Sequence, residues 1–589
     1  MGQFIKFVFA SCLGVFLAMM VLFFVGASMA GGLAASMGSK TVNVKPNSIL
    51  ELNFDEVVPE KTNNVPMDPY SFENEDVVGL HDIVKAIEAA KEDSNIKGIF
   101  IDAIASNGGF ATKSIIRNAL VDFKESGKFI TAYSKYYTQS GYYMASVADE
   151  VYVNPAGGLE FRGFGYMIPF FKDGLDKLGV KMNVYYVGKF KSATEPYRLN
   201  KMSAENRLQT KEYLQPIYDN FIQEIANSRN MESSELKRVA NEWLVRVPDD
   251  AITYKLADKV GYRDEAIAAM KERMGLEEDD KIGKVTMKAY AAANKSTIDF
   301  GIKNKIGVVF AEGGINIGEG EAGSIMDDQY TEVIRKLRQD DKVKALVLRV
   351  NSGGGSALAS ENIWREFTLA QKAGKPVVVS MGDYAASGGY YIACMADKIY
   401  AEPNTITGSI GIFGMIPNAE DLLSNKLGVN LDTVNMGKFA SSINLFHDQS
   451  PEEARIIQSQ LEAGYELFLK RVAEGRDMTR DQVHEIAQGR VWTGKQAKEN
   501  GLVDELGSLT EAIETAAELA ELESYRVTEY PKVKNQFEQL IEKYVQPKEA
   551  KAAILKEELG ELYPYYHELQ SIIKTKGPQA RMPFMIQVD

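Results

Sequence analysis

The chain has 589 residues, 45% hydrophobic, 25% charged and 10% aromatic, a composition of folded domains that excludes the disordered and fibrous classes. Lys plus Arg at 67 against Asp plus Glu at 81 gives a formal net charge of −14; no diffuse basic field exists to hold a polyanion, so nucleic acid is not an expected partner. Two cysteines, Cys12 and Cys394, and four histidines argue against an intrachain disulfide or a structural zinc site, and no cofactor is expected.

The first element is apolar. No residue between Lys6 and Lys40 is charged, and Phe7 to Val25 is almost continuously hydrophobic, long enough to cross a bilayer as one helix. Small residues from Ala27 to Ala30 leave a cleaved signal peptide as the rival reading, but its apolar core would span only roughly 7–15 residues. Lys6, the one basic side chain before the run, favours a cytoplasmic N-terminus and an extracytoplasmic body.

Two similar halves follow. Ile96-Lys97-Gly98-Ile99 answers Val343-Lys344-Ala345-Leu346, each opening an apolar strand that leads to glycines, Asn107-Gly108-Gly109 and Gly353-Gly354-Gly355. Tyr142 to Asp149 matches Tyr390 to Asp397, Gly188-Lys189-Phe190 matches Gly437-Lys438-Phe439, and Tyr218 to Met231 matches Tyr465 to Met478. Leu256 to Gly261 matches Leu502 to Gly507, and the offset stays between 246 and 249 residues throughout. One offset held over five blocks means duplication. In each half β-branched runs such as Lys344–Val350 and Pro376–Ser380 alternate with helical patterns such as Asp328–Arg338 and Ser360–Ala373, the signature of parallel βαβ units. Beyond residue 526, Gln536–Tyr544 and Lys548–Leu562 read as polar amphipathic helices.

The halves differ where chemistry would sit. Aligned on the Tyr-Tyr pairs, Ser387 lies opposite Gln139; aligned on Gly-Lys-Phe, Lys191 lies opposite Ala440. A serine hydroxyl needs an adjacent base, and a lysine serves as one only if burial lowers its pKa. Ser387 is expected after an apolar strand and a Gly382-Asp383-Tyr384 turn, at a helix N-terminus whose amides could hold an oxyanion, with a second donor from the Gly353-Gly354-Gly355 turn. Each piece has a plainer reading: Ser387 as an N-cap, Lys191 on a solvated edge, the glycines as a positive-φ turn, Cys394 as core packing opposite Ser146. What the N-cap account does not predict is complementary loss across one duplication. A Ser387-His447-Asp448 triad stays open on spacing. Lys189 and Lys191, two apart, would share a face on a strand; Lys189 has a counterpart in Lys438, so Lys191 is the better base.

The chain resembles the long, two-repeat form of signal peptide peptidase A, also called protease IV, over roughly residues 45 to 525. The resemblance rests on Val187-Gly188-Lys189-Phe190-Lys191-Ser192-Ala193 with Glu195-Pro196, on Leu348-Arg349-Val350-Asn351-Ser352, on Asp383 to Tyr391, and on Gly408-Ser409-Ile410-Gly411. It implies an α/β fold of tandem Clp-protease/crotonase-like domains after one transmembrane helix: an anchor over 1–40, a lysine-bearing repeat over 41–295, a serine-bearing repeat over 296–525 and a helical tail over 526–589. It also implies a membrane-anchored serine endopeptidase with Ser387 as nucleophile, Lys191 as general base, and Gly354 and Gly388 supplying the oxyanion hole. By the same resemblance the body faces outward from the bacterial inner membrane, the substrates are cleaved signal peptides, and the assembly is a homotetramer. Gly353 departs from the family, whose members often carry proline there. The competing functions are a non-catalytic peptide-binding scaffold and a crotonase-like enzyme acting on acyl-CoA.

Overall fold

The computed structural model describes residues 44–65, 77–294, 301–320, 322–532 and 579–581, with positions 14, 19 and 20. The rest of the apolar Phe7–Val25 run and the helices expected over 536–562 lie outside the described residues. Among those described, no helix is long and apolar enough to cross a membrane.

The first half is built on β1 (Ser48–Leu52), β2 (Ile96–Asp102), β3 (Phe129–Tyr137), β4 (Glu150–Leu159), β5 (Lys181–Val187), β6 (Lys259–Val260) and β7 (Gly283–Thr286). The second has β8 (Lys305–Glu312), β9 (Gly314–Asn316), β10 (Ser324–Met326), β11 (Val343–Ser352), β12 (Gly354–Ser356), β13 (Val377–Ala386) and β14 (Lys398–Ala401). It continues through β15 (Ile406–Gly408), β16 (Ile412–Asn418), β17 (Val491–Thr493), β18 (Glu505–Leu506), β19 (Arg526–Tyr530) and β20 (Gln579–Arg581).

The strands form two matching sheets and a third that joins them. One parallel sheet runs β6-β4-β3-β2-β1-β7; its counterpart runs β17-β15-β13-β11-β8-β19, with β14 beside β13 and β18 beside β14. Central strands such as β11 are buried along nearly their whole length, as unbroken Val/Leu runs require when helices cover both faces. Those helices show the matching stripe: Leu80, Ile83, Ala86, Ile87 and Ala90 are the buried residues of the helix Leu80–Glu92, a 3.6-residue period. The duplication extends to buried hydrogen bonds. Tyr142 Oη donates to Leu256 O at 2.7 Å as Tyr390 Oη does to Leu502 O at 2.8 Å. Ser146 Oγ donates to Tyr143 O at 2.9 Å, as Cys394 Sγ does to Tyr391 O at 3.2 Å. Cys394 therefore packs, with burial pushing its thiol up to about 12. The expected α/β tandem is present.

The third sheet, β10-β9-β12-β20-β16-β5, is mixed. In it β5 of the first half pairs antiparallel with β16 of the second, from Lys181↔Asn418 to Val187↔Ile412. This pairing delivers the residues after Val187 to the second half.

Two local expectations are corrected. Gly382-Asp383-Tyr384 is not a turn but part of β13, because the Asp383 carboxylate is satisfied across the halves: it accepts from Gly109 N at 2.9 Å, Thr112 N at 2.8 Å and Thr112 Oγ1 at 2.7 Å. The glycine triplet is likewise no simple turn. Gly354 opens β12 at φ 99°, a backbone only glycine adopts readily.

Candidate active site

Ser387 directly follows β13 with φ 55° and ψ −115°, a conformation that costs serine on the order of 1–3 kcal/mol. Its backbone is held on both sides: Ser387 N donates to Gly408 O at 2.8 Å, and Ser387 O accepts from Tyr391 N at 2.9 Å. A one-turn helix, Gly388–Tyr391, follows, yet the serine side chain does not cap it. The N-cap reading therefore fails. The hydroxyl points elsewhere.

It points to Lys191. After β5, Gly188 turns at φ 101°, where a Cβ would lie 2.4 Å from Gln488 O. Phe190 N then donates to Gln488 O at 2.9 Å, and Gln209 Nε2 donates to Phe190 O at 3.0 Å. Lys191, 2% exposed, places Nζ 2.8 Å from Ser387 Oγ, 3.0 Å from Ser409 O and 3.1 Å from Ser409 Oγ. Burial lowers its pKa to about 7 because the interior penalises the charged form. A neutral amine has two N–H donors and one lone pair; Ser409 offers two acceptors, leaving the lone pair for the Ser387 O–H.

Lys189 and Lys191 do not share a face, because β5 ends at Val187 and both lie in the turn beyond it. Lys189 is exposed, its ammonium 5.3 Å over the Phe190 ring, while Lys191 is buried. Gly388 is the first residue of the helix after Ser387. Gly354 N donates to Ser352 Oγ at 3.1 Å, and its backbone lies opposite Arg581 of β20. Since β20 sits between β12 and β16, an extended peptide laid along β12 there must displace it.

The sequence reading names Ser409 only within the Gly408-Ser409-Ile410-Gly411 motif and gives it no role. A signal existed: Ser409 aligns with Phe161 in the first half, a further polar-for-apolar exchange. Its φ of 51° and the 2.6 Å bond from its N–H to Arg490 O fix it beside the lysine. His447 and Asp448 do not join Ser387. Asn444 lies 2.8 Å from His447 Nδ1, and Asp448 accepts from Lys181 Nζ at 2.5 Å and Asn183 Nδ2 at 2.8 Å. Among the described residues no cluster of His, Cys, Asp and Glu could hold a metal ion.

A buried ionic cluster clamps the halves one strand away. Arg349 on β11 donates to Glu60 at 2.8 and 3.3 Å, to Ser380 Oγ at 2.8 Å and to Met381 O at 3.0 Å. Glu60 N and Asn64 Nδ2 donate to Glu312 at 3.1 and 2.9 Å, and burial first, then the charge of Glu60, pushes Glu312 up to about 8. Arg349→Met strands a buried carboxylate and is expected to cost about 3–5 kcal/mol. The double variant Glu60→Gln/Arg349→Met should lose less. Urea midpoints of the three proteins check this; equal losses for single and double variants would refute the pairing.

The model of peptidase family S49 matches residues 122–277 and 369–523. Protease 4 of Haemophilus influenzae is 37% identical over 451 residues, 75% of this chain and 73% of that protein. Protease 4 of Salmonella typhi is 39% identical over 459 residues, 77% of this chain and 74% of that protein. The chloroplastic serine protease SPPA of Arabidopsis thaliana is 33% identical over 439 residues, 74% of this chain and 64% of its own.

Proposed function

The chain belongs to peptidase family S49 and is a serine peptidase, and from that premise we propose that Ser387 is its nucleophile and Lys191 its general base. The observation that carries this is the 2.8 Å contact between the buried Lys191 Nζ and Ser387 Oγ. Neutral Lys191 takes the hydroxyl proton as Oγ attacks the peptide carbonyl carbon. Negative charge on the carbonyl oxygen is met by the amide of Gly388 and by that of Gly354, which turns to it from Ser352 Oγ. The lysine then gives its proton to the departing amine, leaving an acyl-enzyme. Water, deprotonated by the same lysine, releases the acid, and Ser387 regains its proton.

The strip between β12 and β16 suits a peptide in extended form that takes the place of β20. The substrates we assign are apolar peptides, cleaved signal peptides among them, reached from a body held at the outer face of the bacterial inner membrane by residues 7–25. The apolar run and the resemblance to signal peptide peptidase A support this. A fluorophosphonate applied to membranes should label one serine, Ser387, and protease added to intact spheroplasts should digest the labelled body. A folded chain that takes no label is a scaffold; a labelled body protected in spheroplasts reverses the topology.

A further inference from the structure

The groups proposed as nucleophile and base come from different halves, so their separation depends on what ties the loop after β5 to the strands around Ser387 and Ser409. The β5·β16 ladder ends at Val187↔Ile412, before Lys191 is reached. Lys191 itself lies outside regular structure, at φ −73° and ψ 78°. Its side chain has rotamer freedom to lose, so the sheet alone does not fix Nζ.

One side chain spans the gap. The helix Ala204–Arg229 is capped by Ser203, whose side chain accepts from Asn206 N, and it buries Asn206, Gln209, Thr210, Tyr213 and Ile217 on one stripe. Gln209 is 2% exposed. Its Nε2 donates to Phe190 O at 3.0 Å and to Ser192 Oγ at 3.1 Å, the residues on either side of Lys191, and its Oε1 accepts from Val491 N at 3.3 Å. Both amide hydrogens and the carbonyl are used. The amide has one orientation only, because turning it over would set Oε1 against Phe190 O. Val491 lies opposite Gly408 in the β17·β15 pair. Gly408 O accepts from Ser387 N at 2.8 Å, and Arg490 O accepts from Ser409 N at 2.6 Å. The bonds therefore run from the lysine loop through Gln209 to the backbone that holds Ser387 and Ser409.

A buried glutamine with satisfied hydrogen bonds is ordinarily packing. The helix supplies its own comparison one turn on. Glu212 pairs with Arg490, and Glu212 O accepts from Gln496 Nε2 at 3.1 Å. These contacts dock the same helix on the same segment of the second half without a hydrogen bond to the lysine loop among the described residues. We infer that Gln209 is a positioning residue of the active site, clamping residues 190 and 192 to β17 so that Lys191 Nζ stays against Ser387 Oγ. The inference rests on Lys191 as the base. Charged groups around the loop are paired elsewhere, Arg490 with Glu212 and Glu195 with Arg198, while Lys189 is exposed. Burial is the cause of the lowered Lys191 pKa, so a loosened loop that admits water raises it.

The test is steady-state hydrolysis of a fluorogenic apolar peptide against pH, with the full-length chain in detergent. Gln209→Met keeps the length of the side chain and removes both donors and the acceptor. Its kcat should fall on the order of 10²-fold, as a displacement of about 1 Å does, with KM little changed. The midpoint of its kcat–pH curve should move above the value of about 7 expected for the parent. Ser192→Ala removes one of the two bonds to the loop and leaves the helix whole. It should move kcat and midpoint in the same directions by less, and it replaces Gln209→Met if that protein does not fold. Glu212→Gln should lower the urea midpoint while keeping kcat and the pH midpoint. Lys191→Met separates the two readings. If it stays active, the base assignment falls and the positioning role with it. If it is inactive while Gln209→Met, or Ser192→Ala in its place, keeps the parent's pH midpoint, the positioning role alone is overturned. The same holds if Glu212→Gln reproduces the shift, which would make docking of the helix its cause.

Discussion

Ser387→Ala is expected to lower peptide hydrolysis on the order of 10⁶-fold, as loss of a nucleophile does when its base can no longer act alone, and to leave the fold intact. The substitution deletes one oxygen. Alanine keeps the Cβ, so the strain at φ 55° is the same in both proteins, and the backbone bonds to Gly408 and Tyr391 involve no side chain. The one hydrogen bond lost is that to Lys191 Nζ, which retains both contacts to Ser409. A stability change within about 1–2 kcal/mol follows. Steady-state hydrolysis of a fluorogenic apolar peptide, with a thermal melt alongside, measures both quantities. Near-normal turnover by a well-folded variant would rule Ser387 out as the nucleophile.

Lys191→Met should abolish activity by a similar order, because nucleophile and base act as a unit, whereas Lys189→Ala should retain most of it. The pH profile is the sharper readout. The lysine must be neutral to accept a proton, so kcat is expected to rise with pH through about 7, the value to which burial lowers Lys191, and then level off. Stability should follow the same group. Its folded-state pKa of about 7 lies below the ordinary 10.5, so between those values the unfolded chain holds a proton that the folded chain lacks, and folding stability rises with pH across that window. Lys191→Met removes the cost of burying an ionisable group and should raise the melting temperature near pH 7, while turnover disappears. An inactive Lys189→Ala protein beside an active Lys191→Met protein would move the base to the other lysine.

The amino-acid sequence by itself determined the duplication, the parallel α/β halves and the positions worth testing, because each is written in local pattern. Val343 to Val350 alternates too little to face water, and the helix Ala357–Lys372 buries Ala359, Ile363, Trp364, Phe367 and Ala370 on one stripe. Ser387 and Lys191 stood out because their counterparts, Gln139 and Ala440, cannot do the same chemistry. Local reasoning misplaced the Gly382–Tyr384 segment for a definite cause. An aspartate beside a glycine reads as a turn until its carboxylate finds Gly109 and Thr112, more than 270 residues away in sequence.

What the tertiary structure alone decided is the surroundings of the two groups proposed as nucleophile and base. Lys191 Nζ meets Ser387 and Ser409 across separations of 196 and 218 residues, and no spacing rule reaches so far. Its lowered pKa comes from dehydration, which arises only when β5 lies against β16 and the loop after Gly188 is pressed onto Gln488. The same docking separates Lys189 from Lys191, one in water and one in the interior, although the chain places them two residues apart. A pattern of side chains can nominate a nucleophile and a base. Their reactivity depends on the dielectric and on hydrogen-bond partners around them, and those are set by distant segments that only the folded chain brings together.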